Sequence, residues 1–244
     1  MIPAWLHDLS LACLAIGMMS ALLIAIDLTR HPQHMWIMNI VWPVNALFGS
    51  VLTIWMYFRF GRLASHQAMM QARQKGDEPP SKKYTPYPAM VAKGAMHCGA
   101  GCTLGDIIAE WLVVALPVIA VWSGWHSLFG EKMFAVWVVD YLFAFAIGVA
   151  FQYFTITPMR NLSPGQGIVQ ALKADCLSLT AWQVGMYGFM AIAQFYLFRH
   201  LLGARLQATM PEFWFMMQIA MLAGFVTSYP VNWWLISRGV KERM

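Results

Sequence analysis

Leu9-Ser10-Leu11-Ala12-Cys13-Leu14-Ala15-Ile16-Gly17-Met18-Met19-Ser20-Ala21-Leu22-Leu23-Ile24-Ala25-Ile26 runs for eighteen residues without an Asp, Glu, Lys or Arg. A helix needs about 20 mostly apolar residues to cross the hydrocarbon core of a bilayer. Only a helix or a closed barrel satisfies its backbone there. Reading outward from this run, six segments qualify as spans, at approximately 6–28, 35–58, 97–122, 134–157, 173–198 and 213–236. The expected fold class is all-α: a polytopic membrane helix bundle of about six transmembrane helices, forming a single membrane domain over 1–244.

Composition agrees. Of the 244 residues 59% are hydrophobic and 11% charged, where soluble domains carry about 25% charged residues. An ordinary soluble enzyme, a disordered chain and a nucleic-acid binder are excluded. The net charge of +5 and pI near 9.1 do not point to nucleic acid, because the Lys and Arg lie in short segments between apolar runs. In a membrane protein that pattern reports orientation. Met1–Asp8 contains no Lys or Arg and no small-residue cleavage site follows the first span, so no cleaved signal peptide is expected.

Six straight spans place the N-terminus, the 59–96 loop, the 158–172 loop and the C-terminal tail on one side. That side then holds Arg59, Arg62, Arg73, Lys75, Lys82, Lys83, Lys93, Arg160, Lys173, Arg238, Lys241 and Arg243, and the other holds Arg30, Lys132, Arg199 and Arg205. Because cytoplasmic loops carry the excess, both termini are expected in the cytoplasm and the protein in a bacterial inner membrane. The loop at about 61–96 reads as a solvated linker whose prolines preclude regular helix beyond about residue 78.

The third span carries the chemistry. In His97-Cys98-Gly99-Ala100-Gly101-Cys102-Thr103-Leu104-Gly105-Asp106-Ile107-Ile108-Ala109-Glu110-Trp111, residues four apart stack on one helical face. Cys98, Cys102, Asp106 and Glu110 form one stripe, with His97 beside its start. Gly101 and Gly105 form a small-residue ridge on which another helix packs closely. Ionisable residues in a span are costly and normally face the bundle interior, which makes Asp106, Glu110 and Asp140 of the fourth span candidates for function.

Thiolates and imidazole are soft ligands suited to Cu(I) or Zn(II). The candidate metal ligands are His97, Cys98, Cys102, Asp106, Asp175 and Cys176, at a site between spans three and five, with copper expected and zinc as the alternative. All four cysteines, Cys13 included, fall near one side on this topology, which argues against structural disulfides. Met186 with Met190, and Met217 with Met221, form stripes four apart that suit Cu(I), although methionine is also a plain filler of apolar cores. Asp27, His31, His34 and Met35 are expected together on the outer side.

The string His97–Asp106, the segment Lys173-Ala174-Asp175 followed by Leu177–Met186, and the stretch Phe213–Ile236 resemble the bacterial membrane family labelled domain of unknown function 4396. The resemblance runs from about residue 90 onward and implies a multi-helix membrane protein, with no established activity attached.

Four functions follow from these residues. The first is metal handling, by binding, transport or delivery of copper. The second is a membrane oxidoreductase using the metal or the Cys98/Cys102 pair. The third is a proton-coupled carrier of a small solute through Asp106, Glu110, Asp140 and Asp175. The fourth is an assembly partner using the glycine seam. The expected partners are the lipid bilayer and a metal ion, with a homodimer compatible and no nucleic acid.

Overall fold

In the computed structural model, which describes residues 2–242, the regular elements are helices. They are α1 (Ala4–Arg30), α2 (Met38–Met56, prolonged by a π-helical turn Tyr57–Gly61 and a 3-10 turn Arg62–Ala64), α3 (His66–Lys75), α4 (Pro80–Lys83), α5 (Tyr87–Ala115), α6 (Val118–Trp122), α7 (Lys132–Arg160), α8 (Pro164–Ala191, prolonged by a π-helix Ile192–Leu201) and α9 (Pro211–Ser237). Among the described residues six helices are long and apolar enough to cross a membrane: Ala4–Arg30, Met38–Ala64, Tyr87–Ala115, Lys132–Arg160, Pro164–Leu201 and Pro211–Ser237. The all-α polytopic bundle expected from the apolar runs is therefore present.

The second of these helices folds back on itself. Ser50 sits at φ 43°, ψ −122°, outside helical geometry. Beyond it the chain returns along the arm it came from. Thr53 Oγ1 donates to the carbonyl of Asn45 at 3.3 Å, and the Trp42 and Tyr57 rings are 5.4 Å apart. On a straight helix those fifteen residues would separate the rings by about 22 Å. Gly61 completes the seat, since a Cβ there would lie 2.8 Å from Cζ2 of Trp42. Segment 38–64 is thus a re-entrant helical hairpin. Its tip lies beside the middle of α1 and α9, where Gln218 Nε2 donates to the Leu47 carbonyl at 2.6 Å.

This hairpin changes the topology. Both its ends, and the C-terminal end of α1, share one end of the bundle: Asp27 accepts from Tyr57 at 2.6 Å and from Arg62 Nη2 at 2.7 Å. Gln33 also bridges to Ser65. The start of α5, the end of α7 and the tail after α9 lie at that same end, since Tyr229 donates to the Pro88 carbonyl at 3.1 Å and Arg160 to that of Gly239 at 2.9 Å. The N-terminus lies at the other end, where His7 pairs with Glu212 at 2.8 Å. The expectation of both termini on one side is corrected: residues 2–7 and 237–242 stand at opposite ends, because hydropathy does not distinguish a crossing from a reversal. Arg30 and the Asp27, His31 and His34 cluster move with the hairpin to the basic end. Among the described residues only Lys132, Arg199 and Arg205 of the Lys and Arg remain in the other half, which sharpens the charge asymmetry; Arg243 lies outside the described residues.

The third span begins at Tyr87, ten residues before its expected start, because Pro86 caps it and Pro88 occupies its first turn, where a missing N–H costs nothing. Its ridge packs on α7. A Cβ on Gly101 would be 2.8 Å from the Gly148 Cα, and one on Gly105 would be 2.6 Å from the Ala144 Cα. The backbones therefore touch directly, Gly101-x3-Gly105 against Ala144-x3-Gly148, as small-residue seams in membranes do.

Candidate functional site: a buried file of ionisable groups

Cys98, Cys102, Asp106 and Glu110 all lie on the buried face of α5. Steps of four residues advance about 6 Å each, so these groups form a file along the bundle axis. The antiparallel glycine seam fixes what faces them. With Gly105 on Ala144 and Gly101 on Gly148, Asp140 of α7 comes level with Ala109, between Asp106 and Glu110. Asp106, Glu110 and Asp140 lie within electrostatic reach of one another. Tyr187 of α8 is within reach of Asp106, Asp140, Glu110 and Cys102, and its hydroxyl donates to the Trp137 carbonyl at 3.0 Å.

Asp106 and Asp140 are 0% and 1% exposed, and none of their four carboxyl oxygens has a hydrogen-bond partner. Both side-chain atoms of Gln183 and Gln152 are likewise unpartnered. Leaving a buried polar group unpaired costs about 1–3 kcal/mol, which marks these side chains as among the costliest unmet polar groups of the interior. Glu110 reaches a cavity of about 620 Å³ at the less basic end, which Glu131, Lys132, His126 and Arg205 also line.

Toward the basic end the file becomes a closed network. Cys98 Sγ donates to Asp175 Oδ1 at 2.8 Å and lies 2.9 Å from the Ser178 hydroxyl. Lys241, beyond the end of α9, turns back into the bundle. Its Nζ donates to Asn232 Oδ1 at 2.7 Å, and stands 3.4 Å from Cys98 Sγ and 3.5 Å from Ser178 Oγ. Gly239 at φ 70° makes the reversal, which glycine adopts without strain. Arg160 braces the tail through Glu242 and the Gly239 carbonyl. Lys241 and Arg160 also line a second cavity of about 620 Å³, at the basic end.

The residues expected to ligate a metal separate into groups. Cys98 and Asp175 touch. Cys102 lies one turn along from Cys98 and is fully buried, and His97 is buried beside them, within electrostatic reach of Lys241. Cys176 points away: it is exposed, because it follows Asp175 on a helix whose inward face Asp175 already occupies. Cys13 is on α1 near the N-terminal end, so the four cysteines do not share a depth. Met186, Met190, Met217 and Met221 all pack in one apolar core, and Met217 and Met221 also line a cavity together with Asp106. Among the described residues no group of three or more His, Cys, Asp and Glu is disposed to hold a metal ion. Sequence reasoning missed Lys241 and Ser178 altogether. Lys241 counted only as a charge setting orientation, and its single signal was a lysine just past a glycine that ends a span.

No curated protein matches the chain. No solved structure does either. Residues 89–241 match the family described as domain of unknown function DUF4396. The matched region holds the whole file from Cys98 to Lys241 and leaves out α1 and the hairpin. Since it covers more than half of the sequence, the chain belongs to the DUF4396 family.

Proposed function

We propose that this protein is a proton-coupled carrier of a small cationic solute, with its basic end in the cytoplasm in keeping with the charge bias of membrane proteins. One observation carries the reading: a file of buried ionisable side chains, Glu110, Asp106, Asp140, Cys102, Cys98 and Asp175, joins a cavity at one end to Lys241 and a cavity at the other. Intramembrane acids of this kind mark ion and proton pathways. The unpartnered oxygens of Asp106 and Asp140 can each hold a proton or face a cation, and the acidic sign selects positive solutes. Lys241 closes the basic end with a tethered ammonium.

The test is reconstitution into liposomes carrying a trapped pH indicator and an imposed pH gradient. Addition of sodium or a permanently charged organic monovalent cation such as tetramethylammonium is expected to dissipate the gradient with the wild type and not in protein-free liposomes. Asp106→Asn and Asp140→Asn are each expected to slow the response at least tenfold. A wild type that responds to none of these cations refutes the carrier reading.

A metal reading, copper with zinc as the alternative, stands second. Cys98 above Cys102 on α5, and the thioethers of Met217 and Met221 beside Asp106, are the soft donors in its favour. The Lys241 ammonium against Cys98 weighs against it, since it holds positive charge where the metal's would be.

A further inference from the structure

Between α1, the hairpin tip, α5 and α9 lies a cavity of about 330 Å³. Its wall is almost wholly apolar: Phe48 of the hairpin, Trp111 of α5, and Trp214, Met217 and Met221 of α9 contribute most of its character. Trp111 and Trp214 stack at 6.3 Å with an interplanar angle of 12°. Two polar side chains of strong character reach the wall besides Thr103. Gln218 is already engaged, donating to the Leu47 carbonyl at 2.6 Å. Asp106 is not: both its oxygens are buried and without a partner. At the rim, Met18 is 64% and Trp111 47% exposed on the outer surface of the bundle, so the cavity opens sideways, toward the hydrocarbon.

We infer that this cavity is a binding site for a lipophilic monovalent cation, an apolar or aromatic body carrying one positive charge, taken up laterally from the bilayer. The inference rests on the carrier reading and names its solute class. Asp106 rests as a buried, unpartnered acid beside the cavity, and a cation seated there balances the carboxylate left when the proton departs, a charge that is costly unpaired. Aromatic faces attract a cation by about 0.5–2 kcal/mol, and the thioethers adapt to an irregular apolar body. Small, strongly hydrated ions gain nothing from such a wall. The exchange balances in protons: the carboxyl of Asp106 releases one proton as the cation seats and regains one as it leaves. The ionisable groups facing Asp106 are Glu110 and Cys102 on its own helix, Asp140 on α7, and Tyr187 on α8. Glu110 leads to the cavity at the less basic end, which gives the proton its route.

Ethidium, an aromatic monovalent cation whose fluorescence rises on leaving water, is the probe, titrated into the purified full chain in detergent. The neutral apolar dye N-phenyl-1-naphthylamine is titrated in parallel. Saturable ethidium binding is expected, weakened at least tenfold by Asp106→Asn, with binding of the neutral dye unchanged. Met217→Trp, which fills the cavity from α9 and leaves Asp106 in place, is expected to weaken both dyes. Circular dichroism and gel-filtration profiles identify any variant that fails to fold. Absence of saturable ethidium binding to the wild type overturns the inference, and so does equal ethidium binding by folded Asp106→Asn. Binding without movement in liposomes upholds the site and refutes the carrier. A gradient response to sodium, absent from protein-free liposomes, with no ethidium binding upholds the carrier and refutes the site.

Discussion

Replacing Gly105 with alanine adds one methyl group at the point where α5 and α7 touch. That methyl carbon would lie 2.6 Å from the Cα of Ala144 and 3.0 Å from its Cβ, where ordinary contact is 3.4–4 Å. The obstacle is backbone, so no side chain can rotate away, and the two helices must part by about 1 Å, a gap that forfeits a quarter to a half of each contact well along the seam. Overpacking of this kind costs about 1–3 kcal/mol; we expect about 2 kcal/mol for Gly105→Ala. Gly101→Ala is expected to cost a similar amount, since its methyl would meet the Gly148 backbone at 2.8–2.9 Å. Gly188→Ala is the control: nothing lies within 4 Å of a Cβ there, and the better helix propensity of alanine is worth up to about 1 kcal/mol.

Unfolding in a mixed-micelle denaturant titration, followed by circular dichroism, measures all three. The order expected is Gly188→Ala at or above wild type, with Gly101→Ala and Gly105→Ala well below it. Ala144→Gly should rescue Gly105→Ala only in part, because it removes the contact at 3.0 Å and leaves the backbone contact at 2.6 Å. The same seam sets Asp140 between Asp106 and Glu110, so gradient dissipation should fall in Gly105→Ala even among molecules that remain folded. A Gly105→Ala protein as stable as Gly188→Ala would refute the direct backbone packing, and with it the register that brings the three acids together.

Three further outcomes follow. At Ser50, whose φ of 43° is costly for a side-chain-bearing residue, on the order of 1–3 kcal/mol, Ser50→Gly should stabilise the protein and Ser50→Val destabilise it in the same titration; equal stability of the two would deny the strained reversal. Lys241→Ala should open the basic end, so that Cys98, fully buried in the wild type, reacts with a water-soluble maleimide, read as a mass shift in a variant whose other cysteines are serine; continued protection would show that Lys241 does not close the file. Metal content by plasma mass spectrometry, on protein purified under reductant, should be trace and equal in wild type and in the Cys98→Ser, Cys102→Ser double variant. Stoichiometric copper or zinc lost in that variant would instead put the metal reading first.

The apolar runs alone determined that this chain is a helical membrane bundle, because a bilayer leaves the backbone no other solution of this composition. The stripe from Cys98 to Glu110 and the small-residue ridge were equally legible, since both follow from the helical repeat and need no knowledge of neighbours. Tertiary structure decided the rest. Whether segment 38–64 crosses or reverses depends on one dihedral at Ser50 and on Gly61 fitting against Trp42, contacts between residues that an apolar run does not order. That reversal placed the N-terminus opposite the C-terminus and moved the Asp27 cluster. Which stripe residues meet which partners was set by the register of α5 on α7, a matter of backbone contact at Gly101 and Gly105. It gathered Asp140 with Asp106 and Glu110, while the packing of α8 on α7 at Gly148, where a Cβ would meet Asp175 Oδ2 at 2.5 Å, turned Asp175 toward Cys98 and left Cys176 facing outward. The place of Lys241 depended on the tail turning at Gly239, and a charge that composition assigns to orientation became the innermost cation of the site.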